Sequence, residues 1–236
     1  WPGHLGEGPV RVGNGAALHR QHDVYGEMVL ALTPLFLDAR FREQVTPAVV
    51  DLTLRLARKA TEVAGLPDTG IWEIRTIARP QTFSTLMCWA AADRMARIAQ
   101  RHDLPVVDEF REAAARLRGE LERVAIDPAR GCLVADHGGT EVDAALLQAV
   151  TLGLLPPEDP RMAATVAAVR RGLERDGWLL RYTTDDGLGR PSTAFVLCTF
   201  WLVEALARLG QVEEARVVLH RLGGVRAPLG LLAEDL

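Results

Sequence analysis

The sequence predicts an all-α fold in which helical hairpins form an inner and an outer ring. Three observations predict it: apolar residues recur at helical spacing along most of the chain, two kinds of helix alternate, and short and long connections alternate. Almost no segment alternates polar and apolar residues as a half-buried strand does. A chain of 236 residues with 48% hydrophobic content suits one large domain or two small ones, and we expect a single domain over residues 1–236.

Eight segments carry the helical periodicity, and several have capping residues at their ends. Thr46 followed by Pro47 begins the second helix, and Gly65 ends it. Thr140 precedes the fifth helix and Pro160 begins the sixth. The predicted helices are residues 15–38, 46–64, 83–102, 106–125, 141–154, 160–175, 192–209 and 211–222.

The composition of these helices alternates along the chain. The odd-numbered helices are rich in apolar and small residues, as in residues 194–206, whereas the even-numbered ones carry dense charge on one face, as in residues 111–123. A helix that is apolar nearly all round has to be covered on all sides, while a charged amphipathic helix shows one face to water. We therefore expect the odd-numbered helices inside and the even-numbered ones outside.

The connections alternate in length in the same way. Long connections follow the outer helices, at residues 66–82, 126–140 and 176–191, while the inner-to-outer connections are generally short. Because consecutive helices run antiparallel, all the long connections fall at one end of the ring. Long loops on one end of a rigid scaffold are where a functional site is expected.

These loops carry aromatic, acidic and arginine side chains. The first holds Trp72, Glu73 and Arg75, and the third holds Arg181 and Tyr182. An ordinary loop salt bridge or cap would explain any one of them, but their convergence on one end favours a site. Aromatic faces beside carboxylates and guanidinium groups suit a sugar, whose ring offers C–H surface for stacking and hydroxyls for hydrogen bonds.

Two carboxylates in particular form a candidate pair. Glu73 lies between an indole and a guanidinium in Asp68-Thr-Gly-Ile-Trp-Glu-Ile-Arg75, and Glu234 lies in Gly230-Leu-Leu-Ala-Glu-Asp-Leu236. Acid/base hydrolysis of a glycosidic bond requires such a pair. The expected partner is therefore an oligosaccharide or disaccharide substrate.

Composition argues against several other partners. A net charge of −4 with interspersed acids and bases offers no basic stripe for nucleic acid. The longest apolar stretch, residues 194–203, is too short to span a membrane, and no export signal is visible. Three cysteines are too few for a disulfide scaffold and fit a reducing compartment such as the cytoplasm.

Metal and cofactor sites have only weak signals. His19, His22 and Asp23 lie within one helical turn, and a second cluster before the fifth helix comprises Asp136, His137, Glu141 and Asp143. Either could in principle hold a metal, although capping and hydration explain most such clusters. The glycines at 13–15 and 138–139 are turn glycines rather than a phosphate cradle, because no strand precedes them. We expect neither a metal nor a cofactor.

Several short sequence blocks spread along the chain form a recognisable pattern. They are Val10-Arg-Val-Gly-Asn14, Asp23-Val-Tyr-Gly-Glu27, Gly70-Ile-Trp-Glu-Ile-Arg75, Met87-Cys-Trp89 with Asp93-Arg94, Leu154-Leu-Pro-Pro157, Arg181-Tyr182, Cys198-Thr-Phe-Trp-Leu-Val203 and Gly230-Leu-Leu-Ala-Glu234. In this order they resemble the bacterial members of glycoside hydrolase family 15, the glucoamylase-type family, which also contains trehalases and glucodextranases.

The resemblance implies an (α/α)6 toroid and hydrolysis of α-glucosidic bonds with inversion of the anomeric centre. It implies that Glu73 is the general acid and Glu234 the general base. Residues implied to bind the glucose at the cleaved bond are Trp72, Arg75, Arg181 and Tyr182. We expect glucoamylase-like release of glucose, with α,α-trehalase activity as the alternative.

The chain also departs from the family pattern. Thr85 stands where bacterial relatives commonly have a lysine, and four predicted hairpins stand against six in the family ring. By the family layout, an N-terminal β-sandwich, the first helices and the last helix are missing from residues 1–236. An incomplete ring exposes apolar inner-helix surface, which favours self-association. An inactive carbohydrate-binding toroid fragment and a helical scaffold for protein partners therefore stay open as alternatives.

Overall fold

The computed structural model describes residues 2–3, 6, 8–10, 13, 15–74, 79–187 and 189–236. Within these ranges the chain forms eight α-helices: α1 Asp23–Leu37, α2 Pro47–Val63, α3 Thr82–Arg101, α4 Val107–Val124, α5 Gln148–Leu152, α6 Pro160–Leu173, α7 Val196–Arg208 and α8 Val212–Gly224. Shorter 3-10 helices are Gly15–Leu18, Ala39–Gln44 and Ala144–Leu147. The all-α prediction is confirmed.

Several predicted helix ends are confirmed by capping geometry. The Thr46 side chain accepts a hydrogen bond from the Val49 backbone N–H, and Pro47 occupies the first turn of α2. Gly65 follows that helix with a φ of +74°, a conformation that glycine adopts without steric cost. Pro160 begins α6 as predicted.

Other helix bounds differ from the prediction. The first helix begins at Asp23 rather than at residue 15, because the Arg20 carbonyl before it accepts hydrogen bonds from Thr69 instead of from a helical turn. The fifth helix is divided into the 3-10 helix Ala144–Leu147 and the short α5. Its N-cap is Asp143, not Thr140, since the Asp143 side chain accepts from the Leu146 N–H.

Two small antiparallel hairpins were not expected from the sequence. β1 (Ile126–Asp127) pairs with β2 (Cys132–Leu133), and β3 (Glu174–Arg175) pairs with β4 (Trp178–Leu179). Strands of two residues are too short to show the polar and apolar alternation from which strands are predicted. Each hairpin lies at the start of a long connection: β1 and β2 follow α4, and β3 and β4 follow α6.

The inner and outer arrangement is clearest around α3. Every residue from Thr82 to Ala92 is buried, and α3 packs against α1, α2 and α4. In contrast, α4 buries only the stripe of Phe110, Leu117 and Leu121. This burial confirms the central position predicted for the third helix and the amphipathic outer position predicted for the fourth.

The helices α1 and α3 approach each other closely at Gly26. A Cβ at this position would lie 2.2 Å from the Met87 carbonyl oxygen, so only glycine permits the contact. Elsewhere, inner helices expose apolar side chains, including Val24, Met28 and Leu197 at 43–44% of their surface. The outer helix α8 exposes apolar side chains as well, including Val217 at 61%, so uncovered inner-helix surface stays a prediction. No described helix is both long and apolar enough to cross a membrane.

Candidate active site

Asp68 anchors the loop that carries Trp72 and Glu73. Its Oδ2 accepts hydrogen bonds from the His22 backbone N–H at 2.8 Å and from the Ser84 hydroxyl at 2.7 Å. Asp68 is only 2% exposed, and this burial raises the pKa of its carboxyl above the ordinary value. The carboxylate therefore joins the loop to the start of α1 and to the first turn of α3.

Backbone hydrogen bonds also hold the two ends of the same loop together. The Asp68 N–H donates to the Arg79 carbonyl at 3.2 Å, in an antiparallel bridge. Next to it, the Thr69 N–H and hydroxyl both donate to the Arg20 carbonyl at 2.9 Å. The start of the loop that carries Glu73 is thus held in place by both backbone and side-chain hydrogen bonds.

Glu73 itself is exposed and has an unusual backbone conformation. Its φ of +53° lies in the left-handed region, and its N–H donates to the Gly70 carbonyl at 3.2 Å. Non-glycine residues adopt this region rarely, and such residues concentrate at functional sites. Among the residues that the structure describes, no side chain pairs with the Glu73 carboxylate, which is free to meet a ligand.

Trp72 lies at the centre of an aromatic cluster. Its ring centroid is 5.8 Å from that of Tyr182, 6.3 Å from that of Phe195 and 6.0 Å from that of Trp201. The contact with Phe195 is T-shaped, and those with Tyr182 and Trp201 are tilted. Edge-to-face and tilted packing of this kind is favourable. The first and third long connections therefore meet through their aromatic side chains.

Arg181 places an unpaired donor beside this cluster. Its guanidinium carbon lies 5.5 Å from the Phe195 ring centroid and 6.0 Å from that of Tyr182, within the range of cation–π attraction. The Nε of Arg181 is buried and has no hydrogen-bond partner among the described residues. A buried donor without a partner is costly, and the guanidinium that carries this donor lines the cleft described below.

Tyr182 is held in turn by its own hydroxyl. The hydroxyl donates to Asp186 Oδ2 at 2.6 Å. Burial, followed by this hydrogen bond, raises the pKa of the Tyr182 phenol above its ordinary value. Tyr182 therefore stays neutral and acts as an apolar wall with a fixed orientation.

These residues enclose a cleft of about 370 Å³, within the range of about 300–1,000 Å³ that is typical of small-molecule sites. Uncharged aromatic surface dominates its walls, with one carboxylate and one guanidinium. The residues that line it are Ile71, Trp72, Glu73, Arg181, Tyr182, Phe195, Leu197 and Trp201. Such a lining can stack on a sugar ring and bind its hydroxyls.

The C-terminal tail reaches the border of this cleft. The Val196 N–H donates to the Glu234 carbonyl at 2.9 Å, and Ala194 and Leu236 exchange two backbone bonds at 3.0 Å. The tail therefore runs antiparallel to the segment that contains Phe195, a cleft residue. The Glu234 side chain is exposed and does not line the cleft as described.

Comparison with known proteins assigns the chain to a family. Residues 1–225 match the sequence profile of the Glycosyl hydrolases family 15. The chain belongs to glycosyl hydrolase family 15. It is 38% identical over 232 residues to a trehalase of Mycolicibacterium smegmatis, with 97% of this chain covered. The chain spans only about a third (34%) of the length of that relative.

Solved structures agree with the assignment at the level of the fold. A wild-type glycosidase superimposes with a TM-score of 0.80 at 22% identity, over 96% of this chain and 59% of that one. A bacterial glucoamylase complexed with acarbose gives a TM-score of 0.70 at 14% identity, over 92% of this chain and 37% of that one. The chain thus has the helical-hairpin fold of the family 15 toroid.

The structure places most of the predicted site residues of this family 15 chain together. Those in one cleft are Trp72, Glu73, Arg181 and Tyr182. The backbone of Glu234 borders that cleft, and Arg75 lies outside the described residues. Sequence reasoning missed Phe195 and Trp201, although Trp201 lies in a block that carried the family resemblance.

Three members of the second cluster considered as a metal site have other partners. Asp136 pairs with Arg79 at 3.1 Å, and His137 Nε2 lies 3.1 Å from the Thr85 hydroxyl. Asp143 accepts a hydrogen bond from the Trp72 indole. Over the described part of the chain, no group of three or more histidine, cysteine or acidic side chains is arranged to hold a metal ion.

Proposed function

We propose that the protein is an inverting α-glucosidase whose substrate is α,α-trehalose. The observation that carries the proposal is one cleft lined by both the exposed Glu73 carboxylate and the Arg181 guanidinium, each without a hydrogen-bond partner for its side chain among the described residues. Membership of family 15 supports hydrolysis as the reaction.

Glu73 is the proposed general acid. Its loop is anchored by Asp68, and its side chain is free of partners among the described residues. In this position it would protonate the glycosidic oxygen as the bond to the anomeric carbon breaks. The sugar ring would rest against the face of Trp72, where C–H groups meet the indole.

Glu234 is the proposed general base. An inverting enzyme needs it on the opposite face of the sugar, about 6.5–9.5 Å from the acid, with a water between the two carboxyls. The backbone hydrogen bond between Glu234 and Val196 holds the tail that carries the base beside the cleft residues Phe195 and Leu197, which flank Val196 in sequence. The exposed Glu234 side chain could take a proton from that water.

Trehalose is favoured over a starch-like oligosaccharide by the relatives of the chain. The relative that is 38% identical over nearly the whole chain is named a trehalase. Hydrolysis of maltooligosaccharides, as glucoamylases perform, is the second candidate, supported by the fold shared with a bacterial glucoamylase. The small cleft, with aromatic walls, one carboxylate and one guanidinium, suits a single glucose unit in either case.

The test is a substrate panel with a stereochemical readout. The natural full-length protein is incubated with trehalose, maltose and maltotriose, and glucose release is followed by proton NMR at early times. Inversion at one anomeric carbon of trehalose gives one β-glucose and one α-glucose, whereas retention gives two α-glucose molecules. Initial formation of equal amounts of both anomers, with trehalose cleaved fastest, supports the proposal.

Two alternatives make different predictions in the same assay. A carbohydrate-binding but inactive toroid would bind these sugars by calorimetry without releasing glucose. A helical scaffold for protein partners would neither bind nor cleave them. Faster cleavage of maltotriose than of trehalose would assign the glucoamylase activity instead.

A further inference from the structure

The corner formed by Asp143 and Ala144 contacts both halves of the candidate site. Asp143 Oδ2 accepts a hydrogen bond from the Trp72 indole Nε1 at 3.0 Å. The next residue, Ala144, donates its N–H to the Arg181 carbonyl at 2.9 Å. The loop of the proposed acid and the loop of the arginine are therefore tied to one point, at the end of the connection between β2 and the 3-10 helix Ala144–Leu147.

That point is fixed in the core. Asp143 is 5% exposed, and its Oδ1 accepts from the Leu146 N–H at 3.3 Å. The 3-10 helix that follows, Ala144–Leu147, is completely buried. A side chain that is hydrogen-bonded on both oxygens and surrounded by packed residues has little freedom to move.

The hydrogen bond supplies what the aromatic contacts lack. The rings of Tyr182, Phe195 and Trp201 pack against Trp72 at interplanar angles of 49° to 76°, but none of them offers an acceptor along the indole N–H, which Asp143 does. The bond to Asp143 fixes which way the indole edge points. Trp72 immediately precedes Glu73, so an anchored indole also restrains the backbone from which the carboxylate projects.

We propose that Asp143 is a positioning residue, which orients Trp72 and through it sets the place of Glu73 relative to Arg181. The role rests on the proposed glycosidase function. Asp143 does not line the cleft and acts without touching substrate. A misplacement of about 1 Å at a reacting group can lower a rate by about 100-fold, so the geometry of this corner bears directly on turnover.

The test compares Asp143→Asn, Trp72→Phe and the double variant in the natural full-length protein. Asparagine keeps the size of Asp143 but cannot accept hydrogen bonds at both positions. Phenylalanine keeps a ring but removes the indole donor. We expect Asp143→Asn to lower kcat by about 10- to 100-fold and to change KM by less than about threefold, because the defect lies in alignment of the acid.

Coupling of the two residues is the decisive readout. In the Trp72→Phe background, Asp143→Asn is expected to change kcat by less than about threefold, because the bond it breaks is already lost. Losses that multiply in the double variant, or full activity of Asp143→Asn, would overturn the proposal. If Asp143→Asn does not fold, Trp72→Phe alone is decisive: a kcat equal to that of the wild type overturns the role.

Glu141→Gln is the matched control. Glu141 is an exposed carboxylate two residues earlier in the same connection, outside the cleft, and its removal should leave kcat and KM unchanged. If the wild type cleaves no α-glucoside, the proposed function fails, but the bond can still be tested by thermal unfolding. The double variant should then lower Tm by less than the sum of the two single variants, and strict additivity would refute the coupling.

Discussion

The Ser84 hydroxyl donates to the Asp68 carboxylate at 2.7 Å, and this bond fastens the loop of Glu73 to the first turn of α3. Because the same oxygen also accepts from the His22 N–H, one buried carboxylate joins three segments that are distant in sequence. Its neighbour oxygen, Oδ1, has no partner among the described residues. Few hydrogen bonds hold the loop, so substitution of their donors and acceptor measures how much each bond contributes to stability.

Asp68→Ala should destabilise the protein by about 2–4 kcal/mol, because two buried donors lose their acceptor. Ser84→Ala removes only one of these bonds and should cost about 1 kcal/mol. Urea unfolding of both variants measures the difference. Equal losses in the two variants would show that the second bond, to the His22 N–H, contributes nothing.

Gly26→Ala tests the close approach of α1 and α3. The added methyl group would lie 2.2 Å from a backbone oxygen of Met87, which cannot move as a flexible side chain can. We expect destabilisation by about 2–3 kcal/mol in thermal unfolding. The control is Gly119→Ala in α4, where a Cβ meets nothing within 4 Å and alanine should stabilise the helix by up to about 1 kcal/mol. A Gly26→Ala protein as stable as this control would contradict the packing described.

Asp23 gives the stability of the protein a pH dependence with a defined sign. Burial, with Glu27 and Asp68 nearby, raises the pKa of its carboxyl from 3.8 to about 7. The folded state therefore binds the proton more tightly than the unfolded state, and stability present below about pH 4 is lost as the pH rises to about 7. Asp143, whose burial raises its pKa to about 7 as well, acts in the same direction.

Asp23→Asn should remove part of this dependence, because asparagine stays neutral. We expect the free energy of unfolding of the wild type to fall by roughly 3 kcal/mol more than that of the variant between pH 4.5 and pH 8. Denaturant titrations at several pH values measure both slopes. Parallel curves for the two proteins would rule out a raised pKa at Asp23.

Arg181→Lys should weaken substrate cleavage without unfolding the protein. Lysine keeps the charge but has no Nε–H donor at this position, and it cannot stack its head group on Phe195 as a planar guanidinium can. The loss of one charged hydrogen bond predicts a decrease in kcat/KM for trehalose by about 10- to 100-fold. Steady-state kinetics, with circular dichroism to verify folding, provide the measurement; unchanged kcat/KM would remove Arg181 from the site.

The sequence predicts the helices and the location of the site better than the contacts within it. Connection length was enough to group the loops of Trp72 and Arg181, because hairpin geometry forces long links to one end. The indole bond from Trp72 to Asp143 spans 71 residues, and no local pattern reports such a pairing. Asp143 was therefore considered only as a member of an acidic cluster.

Local competition explains the other differences. The helix α1 begins only at Asp23 because the Arg20 carbonyl before it accepts a hydrogen bond from Thr69. The helical periodicity of the sequence does not reveal this competing hydrogen bond. Phe195 has the sequence character of an inner-helix residue, yet it precedes α7 and turns into the cleft. Both outcomes are set by tertiary contacts, which override the helical pattern at the ends of elements.

Glu73 is proposed to donate the proton and Glu234 to activate the water. The most direct measurement is kcat for trehalose in Glu73→Gln and Glu234→Gln, each made in the natural full-length protein and compared with the wild type. Because a general acid or base contributes about 100- to 10,000-fold, we predict losses of that size in both variants with Tm unchanged. Activity within a few-fold of the wild type in either variant would contradict the assignment of that residue.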